Sequence, residues 1–180
     1  MRLFVGMQLA SDVIDALERL AAGLRADGDG LRWSSPETWH ITLQFLGEVQ
    51  VEQYECLVDG LARIRSPHVP IWLRGTGIFD RAGVLWAGVA VSPELRLLEK
   101  QVVAATSECG CTGEKRPYHP HVTLARAKGG DPLQAMRKLQ RHAKEGVEFP
   151  RFSASEFLLY ESFLSPGGAR HQVRERFPLG

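Results

Sequence analysis

The sequence predicts an α+β protein of two similar lobes, each built on an antiparallel or mixed sheet and related by an approximate internal twofold axis. Two observations carry that expectation, and a third bounds it. Hydrophobic periodicity reads strand, helix, strand, helix, strand twice along the chain. The word Leu3-Phe4-Val5-Gly6 matches Leu85-Trp86-Ala87-Gly88 at an offset of 82 residues, and His40-Ile41-Thr42-Leu43 matches His121-Val122-Thr123-Leu124 at an offset of 81. At roughly 150 residues per domain, the 180 residues suit one unit. Residues 1–180 therefore read as a single bilobal domain with halves of about 1–80 and about 81–180.

Residues 2–9 are a short apolar run with Phe4 and Val5, bounded by Ser11 and Asp12, and read as a buried strand. Val13, Leu17, Leu20 and Leu24 recur at helical spacing, with Ser11 as the expected N-cap and Gly28-Asp29-Gly30 as the end. A loop from Arg32 to Trp39 leads to a strand over His40–Leu46, stopped by Gly47. Tyr54, Leu57, Val58 and Leu61 place a helix over about 51–65, and Val69–Phe79 returns as a strand. The second half follows with a strand over Val84–Val91, a helix over Pro93–Glu108, a strand over His119–Ala125, a helix over Pro132–Lys144 and a strand over Phe149–Phe163. Asp131, Pro132 and Gln134 form a capping-box arrangement at the start of that last helix. A hairpin of Phe157–Leu164 and Ala169–Phe177, turning at Pro166-Gly167-Gly168, closes the chain.

Composition narrows the functional classes. The hydrophobic and charged fractions, 44% and 24%, are those of a globular domain and exclude disorder, collagen and coiled coil. Lys and Arg number 22 against 21 Asp and Glu, so a net +1 offers no broad field for gripping nucleic-acid backbone. Any anionic ligand must be held locally. No apolar run approaches the roughly 18 residues of a bilayer span, and Gln8 and Asp12 interrupt what would otherwise resemble a signal peptide. Cys56, Cys109 and Cys111 are an odd number without disulfide-framework or zinc-knuckle spacing, so reduced thiols and a cytoplasmic setting are expected.

The functional weight falls on the two His-x-Thr-Leu words. Residues i and i+2 of a strand share a face, so His40 sits with Thr42 and His121 with Thr123. A twofold axis would bring both pairs to one cleft, where hydroxyls can donate to phosphate oxygens and imidazoles can stand at the attacking and leaving oxygens. In-line displacement at a strained phosphodiester needs such a set. One neutral imidazole takes a proton from water, and one imidazolium gives a proton to the departing alkoxide. The ordinary imidazole pKa of about 6.5 leaves both forms accessible near neutrality. A single His-x-Thr is more often an ordinary strand-boundary feature, and the duplication is what turns it into a site. No Asp-rich motif stands beside either word, so two-metal phosphoryl chemistry is not indicated. The rival is a zinc site from His40, His119 and His121, which lacks a clear fourth ligand nearby.

The segments RWSSPETWHITLQFLGEV (32–49), VLWAGV (84–89), RPYHPHVTLAR (116–126) and FLLYESFLSPGGARHQVRERFPL (157–179), together with the amino-terminal RLFVGMQL, resemble the RNA 2′,3′-cyclic phosphodiesterase family. That family is also called 2′-5′ RNA ligase-like and belongs to the two-histidine (2H) phosphoesterase superfamily. The resemblance covers essentially the whole chain. It implies two mainly antiparallel sheets with helices on their outer faces and the active site in the cleft between them. It also implies metal-independent, cofactor-free hydrolysis of a 2′,3′-cyclic phosphate at an RNA end to a 2′-phosphomonoester. By the same resemblance His40 is the proton donor, His121 the proton acceptor, and Thr42 and Thr123 hold the nonbridging oxygens. Run backwards, the pair joins a 2′-phosphate end to a 5′-hydroxyl, which is 2′-5′ ligation. One departure is that Gly83 and Val84 precede Leu85 where the family often carries a basic residue, with Arg81 nearby.

Around the pair, Arg126 is expected to contact substrate as arginines there do in similar proteins, although strict alternation would turn it away from His121 unless the strand bulges. His119 is structural or lines the cleft rim, and Tyr118 is among the aromatics, with Phe4, Trp39, Phe45 and Tyr160, that can stack on a base. Alternation places Phe45 opposite His40, in the core. His68, His142 and His171 receive no role. Residues 114–128 carry +3 and residues 169–177 carry +2, a basic concentration in the second half where an RNA end can approach. The expected partners are RNA ends bearing the cyclic phosphate, such as tRNA halves, met by a monomer with no membrane. The alternatives are a small cyclic nucleotide or 2′-5′ oligoadenylate as substrate, or a non-catalytic RNA-end binding module.

Overall fold

The computed structural model describes residues 1–26, 28–112, 116–128, 134, 136–137, 139, 148–165 and 168–180. In chain order the elements are β1 (Arg2–Met7), α1 (Ser11–Leu24), β2 (Leu31–Trp33), β3 (Ile41–Glu48), α2 (Val51–Ala62), β4 (Val69–Phe79), β5 (Val84–Val89), α3 (Pro93–Glu108), β6 (His121–Ala127), β7 (Arg151–Ala154), β8 (Glu156–Ser165) and β9 (Gly168–Pro178). They form a four-stranded sheet ordered β3-β1-β8-β9 and a five-stranded sheet ordered β2-β6-β5-β4-β7, with every pairing antiparallel.

The two orders make the internal symmetry visible. Laying β3 on β6 and β1 on β5, as the repeated words require, lays β8 on β4 and β9 on β7, and leaves β2 as an addition at one edge. The third strand of each half crosses over: β4 pairs with β5, and β8 pairs with β1. Each sheet therefore draws strands from both halves of the sequence. This exchange splits the strand expected over Phe149–Phe163, because β7 belongs to the five-stranded sheet and β8 to the other. The chain changes sheets at Ser155, whose carbonyl accepts from the Leu179 amide at 2.8 Å. β2 falls where the sequence predicts loop; three residues suffice for it to pair with β6.

One apolar core joins α1, α2 and α3 to one face of both sheets. Leu3, Val5 and Met7 of β1 and Leu85, Ala87 and Val89 of β5 point into it, so Phe4 and Trp86 must face the other way. The opposite face of the four-stranded sheet holds a small second cluster of Phe4, Leu158 and Tyr160, against which Val173 packs. The apolar stripe of α1 runs through Val13, Ala16, Leu17, Ala21 and Leu24. Its N-cap is Ala10 rather than Ser11, and the Asp12 carboxylate accepts from the Val13 amide instead. α2 ends at Ala62, three residues earlier than expected, and a reciprocal Gln50–Gln53 capping box opens it. α3 has the expected bounds, with the Ser92 hydroxyl accepting from the Leu95 amide and Pro93 in the first turn.

Gly47 does not stop β3, which runs through it to Glu48 with φ at +74°. Of the helix expected over Pro132–Lys144, Gln134, Met136, Arg137 and Leu139 are described and helical, with Met136 and Leu139 buried. The Asp131-Pro132 start and the turn at Pro166-Gly167 lie outside the described residues. The expectation of reduced thiols is corrected: Cys56 on α2 bonds Cys109 at the end of α3, with Cα atoms 5.8 Å apart, and Cys111 stays a buried thiol. A separation of 53 residues carries no local signal; packing of the two helices brings the sulfurs together. No helix among the described residues is long and apolar enough to cross a membrane.

Candidate active site

Both histidines stand at the entry of their strands, His40 just before β3 and His121 as the first residue of β6. Each ring is fixed by the same contact. His40 Nδ1 lies 2.7 Å from the Thr38 carbonyl, and His121 Nδ1 lies 2.8 Å from the His119 carbonyl. A carbonyl oxygen only accepts, so Nδ1 carries the proton and donates in both rings, which makes Nε2 the basic nitrogen of each neutral imidazole. Gly6 lets β1 approach the first word closely, since a Cβ there would sit 2.7 Å from the Ile41 carbonyl oxygen.

The two words meet across one cleft. β3 packs against β6, and the Tyr118 hydroxyl donates to the Thr42 carbonyl at 3.3 Å, tying the approach to β6 to the middle of the first word. Burial pushes the His40 pKa down to about 4; the Thr38 carbonyl pulls the other way, and the positive charges of His171, His121 and Arg126 add to the depression. Of these three groups His171 is in ring contact with His40, and His121 and Arg126 act from the neighbouring β6.

Each histidine has its own aromatic surround. Phe4 lies 4.6 Å from His40 and stacks on Tyr160 at 4.8 Å, while His171 meets His40 edge-on at 4.9 Å. On the other sheet Phe79 is 4.9 Å from His121, and Trp86 is 4.8 Å from the exposed His119. Trp86 lies flat over Gly77, where any Cβ would stand 2.2 Å from the ring. These ring contacts restrict the orientation of both imidazoles. Thr42 and Thr123 are partly exposed in the same strands.

Two bulges decide what stands beside the threonines. In β3 the register passes from Thr42 opposite Gly6 to Gln44 opposite Val5, which leaves Leu43 as the extra residue. In β6 it passes from Thr123 opposite Trp86 to Ala125 opposite Leu85, which leaves Leu124 extra. After each bulge the alternation is reversed. Arg126 thereby comes onto the His121 face, which meets the condition alternation alone denied it. Phe45 likewise turns out of the core and is 51% exposed, with its ring 6.0 Å from Phe4. The core placement expected for Phe45 is corrected.

Tyr118 is engaged within the protein, its ring under the Arg96 guanidinium at 5.5 Å and its hydroxyl on Thr42. Trp39 is buried. Among the described residues no three His, Cys, Asp or Glu side chains form a metal-holding group, and His40, His119 and His121 are not brought into one. The sequence assigns His171 no role, yet its ring covers His40 and its buried Nδ1 has no partner within the described protein. Only strand pairing across β1, β8 and β9 places it there, so nothing local to residue 171 signals it.

The profile of the family described as LigT like Phosphoesterase matches residues 8–86 and again 89–171. The chain belongs to the LigT-like phosphoesterase family. It is a 2H-superfamily member whose two matched segments each contain one His-x-Thr word. The RNA 2′,3′-cyclic phosphodiesterase of Aeropyrum pernix is 36% identical over 160 residues, covering 87% of this chain and 90% of its own. The RNA 2′,3′-cyclic phosphodiesterase of Escherichia coli is 29% identical and covers 99% and 96%. The crystal structure of E. coli LigT complexed with 3′-AMP superposes with a TM-score of 0.79 at 29% identity, covering 99% of this chain and 97% of that one. The LigT-like α+β fold of two antiparallel sheets, implied by the sequence resemblance, is the fold found.

Proposed function

We propose that the chain hydrolyses RNA 2′,3′-cyclic phosphate ends to 2′-phosphomonoesters by general acid–base catalysis without a metal. The observation that carries this reading is the pair of His-x-Thr words facing one cleft, with both Nδ1 atoms donated to the carbonyl two residues upstream. The homologues named RNA 2′,3′-cyclic phosphodiesterase and the family membership support it.

Water attacks phosphorus in line with the 3′ oxygen. His121 Nε2 takes the water proton as the new P–O bond forms, the P–O3′ bond breaks, and His40 Nε2 protonates the departing O3′, leaving phosphate on O2′. Thr42 and Thr123 donate to the nonbridging oxygens, and Arg126 offsets their charge. A His40 held near pKa 4 is neutral in the empty cleft at pH 7. An anionic phosphate brought beside it reverses part of that depression, so His40 becomes an acid when substrate is present. His119 lines the rim, and Tyr118 positions β3. If a 5′-hydroxyl attacks phosphorus in place of water, the same proton transfers release O3′ and leave a 2′-5′ phosphodiester, a ligation that excess water disfavours. Both half-sites come from one chain, so a monomer suffices, and RNA ends such as tRNA halves are the partners this chemistry suits.

The test is turnover of a 2′,3′-cyclic-phosphate RNA with the product identified as a 2′- or 3′-phosphate, with and without chelator. A 2′-phosphate product, unaffected by EDTA, is expected. A 3′-phosphate product, or activity lost to chelator and restored by zinc, overturns the mechanism.

A further inference from the structure

β2 is the strand without a counterpart in the other sheet, and it adds Arg32 at the edge beside β6. Arg32 on β2 is the cross-strand partner of Arg126 on β6, and both are exposed. Like charges directly opposite one another destabilise a sheet, and no carboxylate pairs with either guanidinium among the described residues. The Arg126 pKa is lowered by partial burial and by Arg32. A fold that keeps such a pair gains from an anion that neutralises it.

The charge continues past the strand. A cavity of about 490 Å³ at the β2 margin is lined by Arg25, Arg32, Trp33 and Lys128, among others, and by no carboxylate. Arg25 is held over the Trp33 ring at 5.3 Å, and the indole is itself pinned by Trp33 Nε1 donating to the Asp29 carboxylate at 2.8 Å. Asp29 also accepts from the Leu31 amide at 2.8 Å, and its carboxylate faces Lys128 as well. Lys128 is fixed by its amide donating to the Gly30 carbonyl at 2.8 Å.

We propose that Arg32 and the basic cavity beside it bind the RNA phosphate that precedes the reacting cyclic phosphate, so that the cleft selects RNA chains over cyclic mononucleotides. This rests on the hydrolase reading above. β6 presents His121, Thr123 and Arg126 to the reacting phosphate, and β2 lies one strand spacing, about 4.8 Å, further out. A second phosphate on the same chain meets Arg32 there, with Lys128 beyond it and Arg25 around the sheet edge, over the Trp33 ring on the core-packed face. The +1 net charge is thus compatible with binding a short stretch of RNA, because Arg25, Arg32, Arg126 and Lys128 border one sheet edge.

The test compares kcat/KM on a cyclic-phosphate mononucleotide with that on a trinucleotide ending in the same cyclic phosphate, for the unaltered chain, Arg32→Ala and Arg25→Ala/Lys128→Ala. The trinucleotide is expected to be preferred by about tenfold or more, since charge-assisted bonds to a phosphate are among the stronger polar contacts. The ratio should collapse toward one in Arg32→Ala and fall partway in the double variant. The log–log salt dependence of trinucleotide kcat/KM should become shallower by about 0.7 for each phosphate the variant no longer neutralises. Equal losses on both substrates, or no preference in the unaltered chain, overturn the inference. Binding of a trinucleotide ending in a 2′-phosphate, followed by fluorescence anisotropy, reads the surface without turnover. Equal affinity in the unaltered chain and Arg32→Ala overturns the inference even if hydrolysis is confirmed. Absence of hydrolysis of either substrate by the unaltered chain strikes the function proposed above, while the binding arm still decides the surface.

Discussion

The two halves of the cleft share a backbone and differ in what they hang on it. His40 and His121 each enter a strand with Nδ1 on the carbonyl two residues upstream, and each strand bulges at the leucine after its threonine. At matching positions beyond the bulges one half presents Phe45 and the other Arg126. Over the imidazole one half lays His171 and Tyr160, and the other Phe79 and Trp86. Duplication thus preserved the backbone and the anchoring of the two rings, and divergence separated an apolar side from a cationic side. A symmetric cleft would hold a phosphate equally well in two orientations; under the function proposed above, this difference selects a single direction of attack.

The largest expected effect tests what the halves share. His40→Ala and His121→Ala should each lower turnover of a 2′,3′-cyclic phosphate by about 10²–10⁴-fold, with circular dichroism and Tm close to the parent. Substantial turnover by either variant removes that histidine from the acid–base pair. The next effect tests where they differ. Arg126→Ala should reduce kcat/KM by roughly 10–100-fold, the order expected for a lost charge-assisted hydrogen bond of about 1.5–3 kcal/mol. Phe45→Ala should cost less and depend on the base, more for a purine than a pyrimidine end, if the exposed ring stacks. Equal losses at both positions for every base would erase the distinction between the two sides.

A smaller effect concerns the scaffold behind the cleft. The Cys56–Cys109 bond closes a loop of 53 residues, and Thr106, three residues before Cys109, donates to the buried Gln44 side chain on β3 at 2.7 Å. By loop-closure entropy, reduction or Cys56→Ser should destabilise the chain by about 4 kcal/mol at most. A lowered Tm with little change in KM is expected, and an unchanged Tm would mean the bridge contributes nothing.

The smallest effect reads the electrostatics. The His40 pKa is depressed to about 4, so the unfolded chain binds the extra proton first, near pH 6.5. Its contribution to stability is therefore complete above about pH 6.5 and is lost as pH falls toward 4. His40→Phe should flatten that part of the stability profile. Inorganic phosphate should raise the His40 titration midpoint seen by NMR, and His171→Phe should raise it slightly in the empty cleft. A midpoint unmoved by phosphate would argue against His40 as the acid.

Much of this was legible in the chain itself. The duplicated words, the helical and strand periodicities, and the residue pairs His40–Thr42 and His121–Thr123 depend on spacing along one element, which sequence reports directly. Three features were not. Phe45 and Arg126 reach the cleft through single-residue bulges, and a bulge is set by how two paired strands accommodate buried neighbours. His171 covers His40 through the order β1-β8-β9, and the exchange of β4 and β8 between sheets is a matter of which edges find each other in space. The Cys56–Cys109 bond depends on helix packing over 53 residues. Sequence alone determined which groups are paired, because imidazole and hydroxyl at strand spacing are local facts. Tertiary structure alone decided that Arg126 stands beside one imidazole and Phe45 beside the other, because that rests on contacts between segments far apart in the chain.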